Sequence, residues 1–116
     1  MDISIIIPTY NRKEKLRQCL DSVFNQDYPQ GNFEVIVVDD GFDCDTVNTA
    51  KDLEKKYKNL KYIKQDHRGP ASARNRGVKV STGKIIGFVD DDCTVDKHWA
   101  KLMVDAHQKN PQVIAV

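Results

Sequence analysis

Short apolar runs alternate with amphipathic stretches along this chain of 116 residues. The runs are rich in β-branched side chains and nearly continuous, which is typical of strands buried on both faces of a parallel sheet. We therefore predict strands at residues 3–7, 33–38, 61–64, 85–89 and 112–116. Pro8 is expected to stop the first run. The third run is short and half polar, so we expect it nearer the edge of the sheet.

Between these runs, apolar side chains recur at the spacing of a helix. The first amphipathic stretch fades at residues 25–27, and its apolar face is formed by Leu16, Cys19, Leu20, Val23 and Phe24. Asn11 lies three residues before Glu14, a pattern that resembles a capping box. We therefore predict Asn11 as the N-cap of this helix.

Three further helices follow along the chain. The first is predicted at residues 45–58. The second is predicted at residues 71–80, with Pro70 at its first position and Gly83 placed to end it. Asp96 is expected to cap the last helix, whose predicted inner face consists of Trp99, Leu102, Met103 and Ala106.

Strands and helices thus alternate from end to end, without repeats or linkers. This order predicts an α/β fold with a doubly wound, mostly parallel sheet, flanked by helices and built with right-handed crossovers. The length allows one domain with one core, so we expect residues 1–116 to form a single unit.

Composition narrows the class of protein. Hydrophobic residues make up 40% of the chain and charged residues 30%, as in an ordinary folded domain. The net charge of +1 gives no general attraction for nucleic acid, so we predict no such partner. The sequence shows neither a membrane-spanning apolar run nor a signal-peptide pattern. Cys19, Cys44 and Cys93 are an odd number at wide spacing, which indicates reduced thiols and a cytoplasmic location.

The unusual polar chemistry follows the predicted strands at their carboxyl ends. The segments after the first four strands are Pro8-Thr9-Tyr10-Asn11, Asp39-Asp40-Gly41, Asp66-His67-Arg68-Gly69-Pro70 and Asp90-Asp91-Asp92. In a doubly wound parallel sheet these ends share one edge, and ligands bind there at the point where the winding reverses. The opposite edge carries ordinary turns. This segregation predicts a binding cleft.

The run Asp90–Asp92 places three carboxylates directly after a buried strand. Their mutual repulsion grows as water is excluded. A divalent cation is the simplest compensation, and oxygen ligands favour Mg²⁺ or Mn²⁺. A solvated acidic turn is the alternative for this run taken alone, but the polar segments on the same edge favour the metal site.

Other residues on this edge suit a nucleoside diphosphate. Together with a metal, Arg68, Arg74 and Arg76 could neutralise the diphosphate. Tyr10 could stack on a base or sugar, and Asp40 could accept the N–H of a pyrimidine. Each has a structural alternative: a loop cap for the aspartate, ion pairs for the arginines, and a place at the rim of the core for the tyrosine.

Five motifs resemble the family 2 glycosyltransferases in order and spacing. They are Ile5-Ile6-Ile7-Pro8-Thr9-Tyr10-Asn11-Arg12, then Cys19-Leu20-Asp21-Ser22-Val23 with Gln26, then Glu34-Val35-Ile36-Val37-Val38-Asp39-Asp40-Gly41, then Gly69-Pro70-Ala71-Ser72-Ala73-Arg74-Asn75-Arg76-Gly77 with Thr82-Gly83, and finally Phe88-Val89-Asp90-Asp91-Asp92. The resemblance covers essentially the whole chain. One departure is Phe42, which stands where the family usually has serine.

The resemblance implies a GT-A fold that transfers a sugar from a nucleotide diphosphate sugar, usually with inversion and with Mn²⁺ or Mg²⁺. It assigns nucleotide binding to Pro8, Thr9, Tyr10, Asp39, Asp40, Arg68, Arg74 and Asp91. Asp40 would read the uracil edge of a UDP-sugar, which is the favoured donor, and Asp39 and Arg74 would shape the pocket. Asp92 is the implied main metal ligand and Asp90 a supporting one.

The resemblance also implies that this chain carries only part of the residues needed for sugar transfer. Family members continue well beyond the length of this chain, so the acceptor site and the general base are expected beyond Val116, and no catalytic residue is identified here. Residues 1–116 are therefore interpreted as the donor-binding half of an apparently truncated GT-A domain, with an unknown acceptor. A non-catalytic nucleotide-binding or interaction module derived from the family is the alternative.

Two expectations concern assembly and location. An incompletely covered sheet would expose the predicted strand at residues 113–116, so we expect self-association through that edge. The cytoplasm is the expected location, or the cytoplasmic face of a membrane in a longer form. A receiver-like signalling domain fits less well, because its acid pair would follow the first strand, whereas the pairs here follow the second and fourth.

Overall fold

Strands and helices alternate in the computed structural model, which describes residues 1–109. The strands are β1 (Ile3–Thr9), β2 (Phe33–Asp39), β3 (Leu60–Lys64) and β4 (Ile85–Phe88). The helices are α1 (Lys13–Phe24), α2 (Cys44–Lys56), α3 (Pro70–Val80) and α4 (Trp99–Lys109), and a 3-10 turn at Gln30–Asn32 precedes β2. The predicted strand at residues 112–116, and the self-association expected through it, lie outside the described residues.

The four strands form one sheet in the order β3-β2-β1-β4, and each neighbouring pair is parallel. This confirms the predicted α/β architecture and the position of β3 at an edge. The long register between β1 and β2 runs from Ile3 opposite Phe33 to Thr9 opposite Asp39. Both strands are buried almost throughout, as their β-branched runs predicted.

The prediction that Pro8 ends the first strand is wrong, because β1 continues to Thr9. The carbonyl of Ile6 accepts the N–H of Val89 on the β4 side, and the carbonyl of Thr9 accepts the N–H of Asp40 on the β2 side. Successive residues alternate in the neighbour they bond, so Pro8 turns its nitrogen toward β4. The register with β4 ends at Ile6, so the missing N–H removes no ladder bond.

The two faces of the sheet carry different helices. Ile3, Ile5 and Ile7 pack in one cluster with side chains of α1, α2 and α4, whereas Ile6 packs with Ala73 of α3. The connections through α1 and α2 add β2 and β3 on one side of β1, and α3 crosses the other face to place β4 on the opposite side. The winding therefore reverses between β1 and β4, where the doubly wound fold places its crevice.

Helix α3 lies close to β1 because Gly77 has no side chain. A Cβ atom at this position would lie 2.5 Å from Cγ2 of Ile6. Gly77 therefore sets the distance of α3 from the sheet. Gly83, however, does not end the helix, which stops at Val80; its N–H instead donates to Oγ of Ser4 at 2.7 Å.

The predicted capping box at the start of α1 is wrong. The helix begins at Lys13 with Arg12 at the cap position and no side-chain cap bond. Asn11 has a positive φ of 53°, and its Oδ1 accepts the N–H groups of Phe42 and Asp43, each at 3.0 Å. A cap needs extended backbone, whereas asparagine tolerates this left-handed conformation. Asn11 therefore joins the loop after β1 to the loop after β2.

The predicted inner face of α4 is correct only in part. Of the four predicted residues, Trp99 and Met103 are half-buried, whereas Ala106 is exposed and Leu102 is 62% exposed. Ala100 and Val104 are buried instead. Apolar residues occur on more than one side of this helix, so its periodicity did not decide which side faces the sheet. Within residues 1–109, no helix combines the length and apolar character needed to cross a membrane.

Glu34 is a buried carboxylate at the sheet edge opposite the predicted cleft. Its Oε2 accepts from Oγ of Ser4 at 2.6 Å and from the N–H and Oγ1 of Thr82 at 2.7 and 2.8 Å, and Lys61 lies 2.9 Å from Oε1. Burial alone would raise the pKa of Glu34, but these donors outweigh it and lower the pKa to about 2. The carboxylate ties β1, β2 and the segment before β4 together.

We expect Glu34→Gln to reduce the free energy of unfolding at pH 7 by about 1–3 kcal/mol, because either amide orientation turns an NH₂ group toward donors. The folded-state pKa is below the ordinary value of 4.5, so the charge contributes fully above that pH and less as the pH falls toward 2. Denaturant unfolding at pH 7, 5 and 3 should show the two proteins converging at low pH. The matched control is Glu14→Gln at an exposed position; an equal loss at pH 3 and pH 7 would contradict the role of the charge.

Candidate functional site

A cleft opens at the carboxyl ends of β1, β2 and β4, where the winding reverses. Its cavity volume is about 330 Å³. The segments after all four strands and the first part of α3 form its walls, which are lined by Pro8, Thr9, Tyr10, Arg12, Asp40, His67, Pro70, Ala73, Arg74, Asp90, Asp91 and Asp92. Most of the predicted site residues therefore meet in one place.

Asp91 joins the end of β1 to the acidic segment after β4. Its Oδ2 accepts a hydrogen bond from Oγ1 of Thr9 at 2.8 Å, and its side chain is almost entirely buried. Burial raises the pKa of Asp91, and the Thr9 hydroxyl and the charge of Arg12 offset only part of that rise. Asp91 thus turns inward and fixes the turn that carries its two neighbours.

Asp90 and Asp92 turn outward into the cleft opening. Atoms of Asp90, Asp92 and Cys93 that could ligate a metal lie within 4.8 Å of one another. Arg74 lies 3.4 Å from Asp90, and Arg12 lies 3.7 Å from Asp92. The two carboxylates offer the hard oxygen ligands that Mg²⁺ and Mn²⁺ prefer.

Cys93 suits such an ion less well than the two carboxylates. Its sulfur is a soft donor, which suits Zn²⁺ or Cu⁺, whereas carboxylate oxygens suit Mg²⁺ and Mn²⁺. Partial desolvation and the Asp92 carboxylate raise the pKa of its thiol. The chemistry of this cluster therefore fits a hard divalent cation held by Asp90 and Asp92.

Asp39 lies at the end of β2 but outside the cleft lining. It is fully buried, accepting the N–H of Gly41 at 2.9 Å and the hydroxyl of Tyr62 at 2.5 Å. Burial and this hydrogen bond raise the pKa of Tyr62. Asp39 therefore supports the turn after β2 and links it to β3.

Asp40 lies beside it with its carboxylate in the cleft wall and is 4% exposed. Oδ1 accepts from Nε2 of Gln65 at 2.8 Å and from the N–H of Arg68 at 2.7 Å. Oδ2 accepts the N–H of Gly69 at 2.9 Å and lies 2.9 Å from Nδ1 of His67. Burial alone would raise the pKa of Asp40, but these donors lower it. One carboxylate thus organises the whole loop between β3 and α3.

Exposed rings stand at the Asp40 end of the cleft. The rings of Tyr10 and His67 are 4.8 Å apart between centroids, and those of Tyr10 and Phe42 are 6.1 Å apart in an edge-to-face arrangement. Tyr10 is 41% exposed and Phe42 is 74% exposed. The cleft therefore has an aromatic end and an acidic end.

Sequence reasoning placed two arginines too close to the cleft and missed two of its residues. The side chains of Arg68 and Arg76 line a separate shallow groove on the outer side of α3. Only the backbone N–H of Arg68 reaches Asp40. Arg12 and His67 line the cleft although no role was assigned to either. The available signal was their position: His67 lies within the polar segment after β3, and Arg12 directly follows the polar segment after β1.

The fold and cleft together define a GT-A domain. The family model for glycosyl transferase family 2 matches residues 4–116, so the chain belongs to this family. A glycosyltransferase AglE from Haloferax volcanii is 39% identical over 98 residues, which is 84% of this chain and 32% of that protein. The poly(ribitol-phosphate) beta-N-acetylglucosaminyltransferase TarS from Staphylococcus aureus is 34% identical over 122 residues, which is 98% of this chain and 21% of TarS.

Solved structures show the same fold. TarS 1–349 in complex with UDP-GlcNAc superposes with a TM-score of 0.80 at 32% identity, covering 93% of this chain and 32% of the TarS chain. The mannosyltransferase PcManGT from Pyrobaculum calidifontis, in complex with GDP-Man and Mn²⁺, superposes with a TM-score of 0.84 at 27% identity, covering 90% of this chain and 32% of the other. This chain thus spans about a third or less of each of these relatives.

We expect Asp40→Asn to loosen the loop between β3 and α3. Both carboxylate oxygens accept hydrogen bonds, so either amide orientation points its NH₂ group at an existing donor. The expected loss in free energy of unfolding is about 1–3 kcal/mol. Amide hydrogen exchange of residues 65–69 should accelerate while exchange in β1 and β2 changes much less.

The matched control for this prediction is Asp66→Asn, which changes an exposed carboxylate of the same loop. It should leave both exchange and stability near those of the unchanged chain. Equal effects of the two substitutions would show that the contacts of Asp40 do not hold the loop.

Proposed function

We propose that the cleft binds a nucleotide diphosphate sugar, with a UDP-sugar favoured, as the donor site for inverting sugar transfer to an acceptor. The observation that carries this proposal is the chemical difference between the two ends of the cleft. An aromatic end with a hydrogen-bonding carboxylate suits a nucleobase, and an end with two exposed carboxylates and two arginines suits a metal-bound diphosphate. UDP and UDP-GlcNAc in the TarS structures support the choice of donor class.

At the aromatic end, Tyr10 offers a ring face on which a base can stack. The Asp40 carboxylate is an acceptor only, so it can recognise a ring N–H of the base. Pro8 and Thr9 continue the wall from this end toward the acidic segment. The nucleoside is thereby oriented along the end of β1.

At the acidic end, Asp91 and Thr9 hold the turn, so that Asp90 and Asp92 face the diphosphate. These two aspartates would hold a Mg²⁺ or Mn²⁺ ion. When bound, such an ion neutralises the diphosphate and stabilises it as a leaving group. Arg74 and Arg12 supply further donors close to the same oxygens.

A second candidate is a binding module that performs no transfer by itself. Among the described residues, the cleft carboxylates are already engaged or assigned to the metal: Asp40 and Asp91 accept hydrogen bonds, and Asp90 and Asp92 face the ion. Inverting transfer needs a base on the acceptor hydroxyl. We expect that base, and the acceptor site, in the part of the protein beyond Val116.

We place this domain in a reducing compartment such as the cytoplasm. The support is that Cys19, Cys44 and Cys93 are free thiols, and that Cys44 and Cys93 are exposed. Exposed thiols persist where the cell keeps them reduced.

Isothermal calorimetry with UDP, GDP and dTDP, each with and without Mn²⁺, tests the proposal. We expect UDP to bind most tightly and only with the metal. Asp92→Asn should weaken binding in Mn²⁺ by about tenfold or more, since even residues that only hydrogen-bond to metal ligands contribute on that scale. The matched control Asp52→Asn changes an exposed aspartate of α2 and should have no effect.

Metal-independent binding, or no binding to any of the three nucleotides, would overturn the donor-site proposal. Release of nucleoside diphosphate from UDP-sugars then separates the two candidates. This chain would be identified as the binding half if it binds nucleotide with metal but releases no nucleoside diphosphate, while a longer form of the protein does release it.

A further inference from the structure

The Asp40 carboxylate is surrounded by groups of the chain itself. A carboxylate offers about four lone-pair sites. Three hydrogen-bond donors occupy three of them, and Nδ1 of His67 lies against the fourth, 2.9 Å from Oδ2 and 3.3 Å from the backbone carbonyl oxygen of Asp40. A base N–H can therefore reach the carboxylate only by displacing one of these four groups. The identity of the displaced group follows from how firmly each one is held.

The three hydrogen-bond donors are fixed by the fold. Those of Arg68 and Gly69 are backbone N–H groups in the loop that leads into α3. Gln65 is 6% exposed, and its amide is held in the interior. By contrast, the His67 side chain is 65% exposed, so it can turn into solvent without leaving a buried group unpaired.

His67 makes the same two contacts that a bound base would make. Its ring lies 4.8 Å from the ring of Tyr10 between centroids. Its Nδ1 lies 2.9 Å from Oδ2 of Asp40 and must carry the proton, because an ionised carboxylate only accepts. A planar ring with an N–H group thus occupies the aromatic end of the cleft.

We propose that His67 is an internal substitute for the nucleobase, and that a base with a ring N–H binds by displacing it. This inference rests on the proposed function, since it requires a nucleoside to bind against Tyr10 and Asp40. His67 is then a specificity-determining residue. A base that returns an N–H to Asp40 replaces the lost His67 contact, as uracil, thymine and guanine can. A base that cannot do so leaves a buried carboxylate oxygen without its partner.

The same contact limits affinity for the correct base. In the unchanged chain, the base must displace the contact between His67 and Asp40 before it forms its own hydrogen bond, so the base gains little from that bond. Without the imidazole, the base forms its hydrogen bond to Asp40 without displacing another group, so its affinity for the cleft increases. We therefore expect His67→Ala to bind UDP about threefold to tenfold more tightly, the range for one hydrogen bond. Most substitutions at a cleft residue would weaken binding, so the sign of the change is diagnostic.

The test measures binding of UDP and of N3-methyl-UDP by calorimetry in the presence of Mn²⁺. The proteins are the unchanged chain, His67→Ala, and His67→Gln, which keeps a side-chain donor but loses the ring. His98→Ala is the matched control, since His98 is exposed and precedes α4. We expect tighter UDP binding with His67→Ala, no change with the control, and weaker binding of N3-methyl-UDP in every protein.

A second measurement uses the unchanged chain and needs no substitution. Imidazole NMR signals of His67 should shift when UDP is added in the presence of Mg²⁺, which is diamagnetic, whereas those of His98 should not. Resonances that stay in place while UDP binds would overturn the inference. So would weaker UDP binding by His67→Ala, or equal binding of UDP and N3-methyl-UDP.

The two proposals fail in different ways. If no nucleotide binds to any of these proteins, the donor-site proposal fails and the inference about His67 fails with it. If UDP binds with metal but the His67 results go the other way, the donor site stands and only the role of His67 is rejected.

Discussion

Several carboxylates lie at one edge of the parallel sheet, and the negative charge of each one needs hydrogen-bond donors, cations or water around it. The arrangement of that edge follows from this requirement. Asp39, Asp40 and Asp91 are buried, so each needs donors from the protein, and each one consequently holds a loop or turn in place. Asp90 and Asp92 remain in solvent, where water and nearby arginines compensate them. Burial thus separates carboxylates that build the site from carboxylates that are available to a ligand.

The crossing of α3 to the second face of the sheet explains why the site has two ends. The loop before α3 reaches back to Asp40 at the end of β2, and Arg74 on the helix reaches Asp90 after β4. A single helix therefore contacts both the aromatic end and the acidic end. The close fit of Gly77 against Ile6 makes this possible, because it keeps α3 near the sheet.

Periodicity and strand-end chemistry were enough to predict the sheet, its winding and the edge that carries the cleft. Predictions from local sequence patterns were wrong where a residue fits a local pattern but makes a different contact in the folded chain. Asn11 has the spacing of a helix cap, but its side chain instead satisfies the N–H groups after Gly41. In α4, Leu102 lies on the predicted inner face but is exposed, whereas Val104 lies outside that predicted face but is buried, because packing against the sheet decides which side of the helix faces the core.

The sequence by itself determined that polar residues follow buried strands and that an acidic run ends β4, because strand burial and chain direction are encoded locally. The tertiary structure decided the state of each carboxylate and the position of His67, since both depend on donors far away in the chain. Asp40 and Gly69, for example, are 29 positions apart, and Thr9 and Asp91 are 82 apart. No local pattern carries those contacts; they arise only when parallel strands bring their ends to one edge.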